Sequence, residues 1–294
     1  MKKLRFAIFG NTCRPEQSAR IQELFAMLAS RGASLTIDRA FHSYLTEETG
    51  IDVRPDMLTD GNDFDADYAI SLGGDGTFLR AARCVGDKGT PILGINMGRL
   101  GFLSDYRAED IASAIDHIYD GTCRIEERTV LMAESDSHAI QGYPYALNEV
   151  AVLKRDNSSM ISIDVEVNGE FLTTYQADGL IVNTSTGSTG YALSVGGPII
   201  CPGSNIIGLV PVAPHSLTVR PMTISADAVI DMRVKSRSHN FLLSIDGRSE
   251  SAAEGARITI RKAPYTVKVL KRSEGSFFRT LRENLMWGAD SREV

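Results

Sequence analysis

The residues best suited to chemistry in this 294-residue chain begin at Gly73-Gly74-Asp75-Gly76-Thr77. Three glycines within four positions let the backbone approach phosphate oxygens at Gly73, Gly74 and Gly76. The helix predicted to follow adds free N–H groups and a positive dipole end. Asp75 is the discordant residue: a carboxylate among phosphate-cradling glycines repels an anion unless it holds a cation or takes a proton. Both roles suit phosphoryl transfer to a hydroxyl. Capping of the following helix is the plainer alternative, since Asp is a common cap. Neither Gly-x-x-x-x-Gly-Lys-Ser/Thr nor Gly-x-Gly-x-x-Gly occurs here, so a Walker loop and a dehydrogenase fingerprint lose their support.

Two further stretches carry polar groups in dense order. Asn148 and Glu149 set an amide beside a carboxylate in a strand-like run, a combination suited to ribose hydroxyls and equally compatible with a polar strand edge. Residues 178–198 form the longest motif, an apolar strand after Asp178 that opens into a Ser/Thr/Gly loop and then Tyr191-Ala192-Leu193-Ser194. Its hydroxyls and N–H groups can meet phosphate or ribose without adding charge, and Tyr191 can offer a surface to a base. The five histidines (His42, His117, His138, His215, His239) have no metal-ligand spacing, and no metal ligand is assigned.

The elements that must position these residues fall into two kinds. Leu4 to Gly10, Ala33 to Ile37, Tyr68 to Leu72 and Pro91 to Ile95 read as short strands. Helical runs are predicted from about Pro15 to Arg31, Thr77 to Val85 and Glu109 to Tyr119. Alternation of this kind predicts an α/β domain with a Rossmann-like parallel sheet, and places Gly73 at the carboxyl end of a strand, where such sheets bind ligands. Beyond about residue 120 the pattern turns strand-rich. Strands are expected at 130–134, 146–153, 162–167, 180–183, 217–219, 229–234, 241–245, 257–261 and 267–270, with an Asn168-Gly169 hairpin turn. A helix from Phe278 to Trp287, with Leu281, Leu285 and Met286 on one face, closes the chain.

At 43% hydrophobic residues the chain can fill two cores, since single cores stop growing at roughly 250 to 300 residues. The net charge of -6 supplies no basic field for a nucleic-acid backbone. No run reaches the roughly 18 apolar residues that span a bilayer. Cys13, Cys84, Cys123 and Cys201 form no CxxC pair and read as reduced thiols. Arg5 and Gly10-Asn11 interrupt the apolar start too early for a signal peptide, so a cytoplasmic protein without membrane or nucleic-acid partners is expected.

GGDGT alone is shared by NAD kinases and diacylglycerol-type lipid kinases. With the Asn-Glu pair, the 178–198 block, the Gly94 to Leu103 segment, and Ser216 to Pro221 with Asp246-Gly247, the chain resembles the NAD kinase family over most of its length. The resemblance implies transfer of the γ-phosphate of ATP to the adenosine 2′-hydroxyl of NAD, giving NADP, with Asp75 as the base. It implies substrate contacts from Asp75, Gly76, Arg80, Asn148, Glu149, Asp178, Thr189, Gly190, Tyr191, Ala192, Leu193 and Ser194. It further implies a divalent cation, Mg²⁺, and a homo-oligomer, dimer or tetramer. The implied organisation is an α/β domain over 1–120, a β-sandwich-like NAD-binding domain over 121–272, and a helix over 273–294 packing back on the first domain. Two departures stand out: Gly190 replaces the alanine common at its position, and Gln176 stands where some members carry a basic residue.

Overall fold

The computed structural model describes residues 3–11, 17–98, 101–137, 140–156, 160–273 and 275–288. Cys13, Pro15, Arg99, Leu100 and His138 lie outside the described residues. The chain divides into two compact units, one of Met1–Glu127 with Val267–Val294 and one of Arg128–Thr266.

In the first unit the elements run β1 (Arg5–Gly10), α1 (Ser18–Ser30), β2 (Ser34–Asp38), α2 (Arg39–Glu47), β3 (Met57–Thr59), β4 (Tyr68–Leu72), α3 (Asp75–Val85), β5 (Ile92–Asn96), β6 (Tyr106–Arg107) and α4 (Ile111–Asp120). All the pairings among these strands are parallel, in the order β5-β4-β1-β2-β3 with β6 beside β5. The connection from β1 leads to β2 on one side, and that from β4 leads to β5 on the other. The carboxyl ends of β1 and β4 therefore flank the point where the winding reverses, the usual ligand crevice of an open α/β sheet.

Hydrophobic spacing explains the helices that were legible. Ile21, Leu24, Phe25 and Leu28 of α1 and Ile111, Ala114, Ile115 and Ile118 of α4 bury one stripe each in a shared core. Gly32, at φ +65°, closes α1: its N–H donates to the Ala29 carbonyl and that of Ala33 to the Leu28 carbonyl. Helix α2 had no clear sequence signal, because only Phe41 and Leu45 are buried in an otherwise polar stretch. Asp38 starts it by accepting from the Phe41 N–H at 3.0 Å.

The second unit follows with β7 (Arg124–Ser135), β8 (Tyr145–Ala146), β9 (Glu149–Leu153), β10 (Ile161–Val167), β11 (Glu170–Ala177), β12 (Gly179–Asn183), α5 (Tyr191–Ser194), β13 (Ile206–Val212), β14 (Met222–Ser225), β15 (Ile230–Lys235), β16 (Asn240–Ile245), β17 (Arg248–Ala253) and β18 (Arg257–Lys271). One antiparallel sheet runs β14-β13-β12-β9-β16-β17. Facing it, β11-β10-β15 continues onto the first part of β18, with β7 and β8 alongside. Val150, Val152, Leu180, Val182 and Leu243 from one sheet share a core with Ile161, Ile163, Val165, Met232 and Ile258 from the other. Two sheets closing on one apolar layer make a β-sandwich. Asn168 and Gly169, at φ +53° and +80°, form the expected β10-β11 turn.

Several expected elements differ. The predicted strand 146–153 is interrupted at Leu147 and Asn148, whose N–H groups turn to the Asp246 carboxylate instead of a ladder. Residues 217–219 form a loop rather than a strand: Leu217 is 88% exposed, and Arg220 donates to the Leu217 and Val219 carbonyls. Segments 257–261 and 267–270 belong to the single strand β18, whose Val269 and Leu270 pair in parallel with β5. The last helix, α6 (Phe277–Leu285), stops before Met286, which adopts φ +52°; of the three face residues predicted, only Leu281 is buried. Asn284 Nδ2 donates to the Gly101 carbonyl at 2.7 Å, and Glu283 pairs with Arg107 at 3.3 Å. Cys84, Cys123 and Cys201 are free thiols. Among the described residues no helix is long and apolar enough to cross a membrane.

Candidate active site

Strand β4 ends in the glycine loop, and α3 begins two residues earlier than its hydrophobic pattern indicates, at Asp75. Gly74 is the N-cap in extended backbone, so Asp75 occupies the first helical position and caps nothing. Its carboxylate instead accepts the Phe102 N–H at 3.0 Å through Oδ2 and the Leu103 N–H at 3.2 Å through Oδ1. Gly101 makes this approach possible, because a Cβ there would stand 2.1 Å from Asp75 Oδ1. The receiving segment is tied down in turn. Buried Lys271 donates to the Leu103 carbonyl at 3.4 Å and pairs with Asp105 at 3.1 Å. Asp75 is partly buried, while Gly74 and Gly76 are exposed. The carboxylate is thus held by two backbone donors and keeps lone pairs for a further partner.

Arg80, one turn along α3, donates through Nη2 to the Gly10 carbonyl at 2.9 Å and to Asp38 at 3.0 Å. Arg80 lines a cavity of about 310 Å³ with Gly10, Phe41, Tyr44, Gly76 and Thr77. That cavity lies at the carboxyl ends of β1 and β4, where the winding reverses.

In the second unit, Asn148 and Glu149 sit where β9 begins. Asn148 Oδ1 and Glu149 Oε2 are buried without a hydrogen-bond partner, a costly state that a bound polar ligand relieves. Burial, and then the charge of Asp246, push the Glu149 carboxyl up to about 7. The 184–190 turn closes over the same residues. Thr184 N donates to the Asn148 carbonyl at 2.9 Å, and Thr184 Oγ1 donates to that of Leu147 at 2.6 Å. A Cβ at Gly187 would stand 2.1 Å from the Asn148 carbonyl oxygen, so glycine is required for this contact.

The hydroxyls of this loop serve the protein itself, which corrects their expected role toward phosphate or ribose. Thr184, Ser185, Thr186 and Ser188 are all buried. Ser188 Oγ bridges the Ser185 carbonyl and the Ile200 N–H, and Arg128 reaches Thr186 Oγ1 at 3.3 Å. The polar surface that remains lies further on. Thr189, Gly190 and Leu193 are partly buried, and Tyr191 and Ser194 are exposed. Ala192 turns its methyl into an apolar cluster with Ala151, Ile181 and Val210. A Cβ on Gly190 would lie 3.4 Å from Glu149 Oε2 and 3.5 Å from Asn148 Nδ2, so the loop faces the Asn148-Glu149 pair. Asp178 pairs with Lys154 at 2.8 Å, and Gln176 bonds Ser162 at 3.0 Å.

Residues 6–123 match the ATP-NAD kinase N-terminal domain and residues 147–272 the ATP-NAD kinase C-terminal domain. An NAD kinase of Bacteroides fragilis is 55% identical, covering 98% of this chain and 100% of that protein. The chain belongs to the ATP-NAD kinase family. A Porphyromonas gingivalis NAD kinase is 42% identical over 99% of this chain and 100% of its own length. Among solved structures, an Archaeoglobus fulgidus NAD kinase in complex with ATP superposes with a TM-score of 0.73 at 26% identity, covering 96% of this chain and 99% of that one. Yeast NADH kinase complexed with NADH gives a TM-score of 0.89 at 22% identity, over 99% of this chain and 90% of that one, a likeness of fold.

In this member of the ATP-NAD kinase family, most residues expected from sequence form one group around Asp75 and Arg80 in the first unit, or another around Asn148, Glu149 and Gly190 in the second; Asp178 stands apart, beside Lys154 at the opposite end of the β12-β9 ladder from Glu149. Sequence reasoning passed over Lys271 and Asp105, which brace the segment facing Asp75, and over Arg128, buried against Thr186. Gly101 and Asp246 lay inside quoted motifs without a role. The Asp-Gly turn signal at Asp246-Gly247 was the one cue that pointed to a special backbone position there.

Proposed function

We propose that this chain carries out its family's reaction, ATP-dependent phosphorylation of NAD to NADP, with Asp75 as the general base. The adenosine 2′-hydroxyl donates its proton to the Asp75 carboxylate as its oxygen bonds to the γ-phosphorus of ATP. The bond from that phosphorus to the bridging oxygen breaks, and ADP leaves. The observation that carries this reading is a carboxylate fixed by two backbone N–H groups at the mouth of a glycine loop, with lone pairs still open. Exposed Gly74 and Gly76 present backbone to phosphate and Arg80 supplies positive charge beside them, whereas Gly73, expected to join them, is buried with its N–H donated to the Ile95 carbonyl at 3.0 Å. Asn148 and Glu149 take ribose hydroxyls with their unpartnered oxygens. Thr189 and Gly190 extend the dinucleotide site beside that pair, with the exposed Tyr191 ring available to the base.

Among the described residues no three His, Cys, Asp or Glu side chains converge on a metal position. Kinase magnesium takes one or two carboxylates and relies on substrate phosphates for the rest, so Asp75 with its remaining lone pairs fits an ion delivered with ATP. Such an ion would supply positive charge to offset the negative charge of the donor phosphates. The free thiols fit a reducing cytoplasmic setting. Exposed Leu217 and Trp287 offer apolar surface for a homo-oligomer, dimer or tetramer.

Incubation with ATP, Mg²⁺ and NAD, followed by assay of NADP, tests the reaction. Asp75→Asn is expected to abolish turnover while NAD binding by calorimetry persists. Turnover near the wild-type rate removes Asp75 from the role of base.

A further inference from the structure

Asp246 and Gly247 form the two-residue turn between β16 and β17, with φ of +47° and +77° and the flanking Ile245 and Arg248 paired. An aspartate at such a turn tip ordinarily faces water. Here the side chain is directed inward. Oδ2 accepts the Leu147 N–H at 2.7 Å, and Oδ1 accepts those of Asn148 and Glu149 at 2.9 and 3.0 Å. The Asp246 N–H in turn donates to the Glu149 carbonyl at 3.0 Å. Four hydrogen bonds thus fasten one turn to three consecutive residues, and they fall where β8 and β9 are interrupted.

The consequence is directional. A carboxylate that gathers three successive N–H groups holds them on one side of the backbone, which a pleated strand with alternating N–H directions does not do. The strand interruption, and with it the aim of the Asn148 and Glu149 side chains, is set by the Asp246 carboxylate. Those side chains end in the two buried oxygens that lack a partner.

We propose that Asp246 is a positioning residue for NAD: it acts through the backbone of Leu147, Asn148 and Glu149 to present the Asn148-Glu149 pair to the dinucleotide. This rests on the reading that the pair binds NAD.

The electrostatics agree. Glu149 is pushed up to about 7 by burial first and by the Asp246 charge second. Asp246 is itself raised by burial, against the pull of its three N–H donors and of Arg248, whose guanidinium also donates to the Tyr143 and Tyr145 carbonyls. Asn183, the partner of Glu149 on β12, and Gly190, which faces it from the 184–190 turn, are uncharged, and Arg128 is engaged with Thr186 of that turn. Asp246 is therefore the charge to which Glu149 answers.

The test uses the full-length enzyme and steady-state NADP formation across pH 5.5 to about 9, with melting curves as a check on folding. Asp246→Asn keeps an oxygen acceptor but loses the charge and one acceptor site. It is expected to raise KM for NAD about tenfold or more, leave kcat within about threefold and KM for ATP unchanged, and move the inflection in the NAD KM profile below its wild-type pH. Asp246→Glu keeps the charge but displaces it by one methylene. It is expected to raise KM for NAD with the inflection near its wild-type position, and it serves alone if the Asn variant does not fold. Asn148→Ala separates the two levels of the argument. If it raises KM for NAD while neither Asp246 variant does, the positioning role is wrong. If neither Asn148→Ala nor the Asp246 variants raise it, NAD does not bind at this pair. A loss confined to kcat in the Asp246 variants also overturns the proposal, because it assigns Asp246 to the chemical step.

Discussion

Replacing Gly101 with alanine is the most direct probe of how Asp75 is held. The added Cβ would stand 2.1 Å from Asp75 Oδ1 and 2.5 Å from Cγ, where ordinary contact begins at 3.4 Å. Either the carboxylate or the 101–103 segment must therefore yield by about 1 Å. The segment is braced by Lys271, Asp105 and Asn284, so the carboxylate is expected to yield. The backbone of Gly101 does not lie in the left-handed region, so alanine adds no conformational penalty of its own. Displacement weakens two charge-assisted hydrogen bonds of roughly 1.5–3 kcal/mol each. A misplacement of about 1 Å at a reacting group can cost on the order of 100-fold in rate. The expected result is kcat reduced about 100-fold in an NADP-formation assay, with NAD affinity within severalfold of wild type and a melting temperature lowered by a few degrees. Because the effect runs through Asp75, adding Gly101→Ala to Asp75→Asn should cost little further activity. A Gly101→Ala enzyme with kcat within threefold of wild type, or losses that simply add in the double variant, refutes the reasoning.

Glu149→Gln is expected to change the pH dependence of stability. The carboxyl is raised from 4.5 to about 7 in the folded protein, so the folded state holds its proton over an interval in which the unfolded state has lost it. Wild-type stability from this group is full below about pH 4.5 and falls as pH rises through 7, by roughly 3 kcal/mol at most. The Gln variant lacks this slope, so its melting temperature should gain on wild type between pH 5 and 8; parallel curves contradict the assignment. Arg80→Met removes the guanidinium partner of buried Asp38 and positive charge from the cavity beside Gly76. Since Arg80 is one-third exposed, a stability loss of about 1–3 kcal/mol is expected, with KM for NAD raised about tenfold. Destabilisation with KM unchanged restricts Arg80 to a structural role.

Much of the architecture was legible because its signals are local. Strand β4 and its glycine loop follow from the short, mostly apolar run Tyr68 to Leu72 leading into Gly73, and α1 and α4 from apolar residues at helical spacing. The β10-β11 hairpin follows from Asn168-Gly169. What failed depended on partners distant in sequence. Residues 217–219 have strand-like composition but no strand to pair with, and 257–271 is one strand because β15 and β5 accept its two ends. Helix α2 is too polar to announce itself. The hydroxyls of 184–188 looked available to a ligand, yet the Leu147 carbonyl and the turn's own Ser185 carbonyl and Gly187 N–H use those of Thr184 and Ser188.

The same division holds at the site. By itself the sequence determined which residue types were present for phosphoryl transfer: glycines for backbone approach, one aspartate among them, an amide-carboxylate pair, and the family order of the blocks. Those properties belong to each residue and its near neighbours, so no fold is needed to read them. Only the tertiary structure decided what each group is free to do. Asp75 lies inside its helix rather than capping it, and its carboxylate takes the Phe102 and Leu103 N–H groups from 27 and 28 residues away. Glu149 changes its acidity because the fold buries it and, second, because Asp246, 97 residues away, lies beside it. Hydrogen-bond partners and desolvation depend on distance in space, and a linear order of residues carries no record of that distance until the chain has folded.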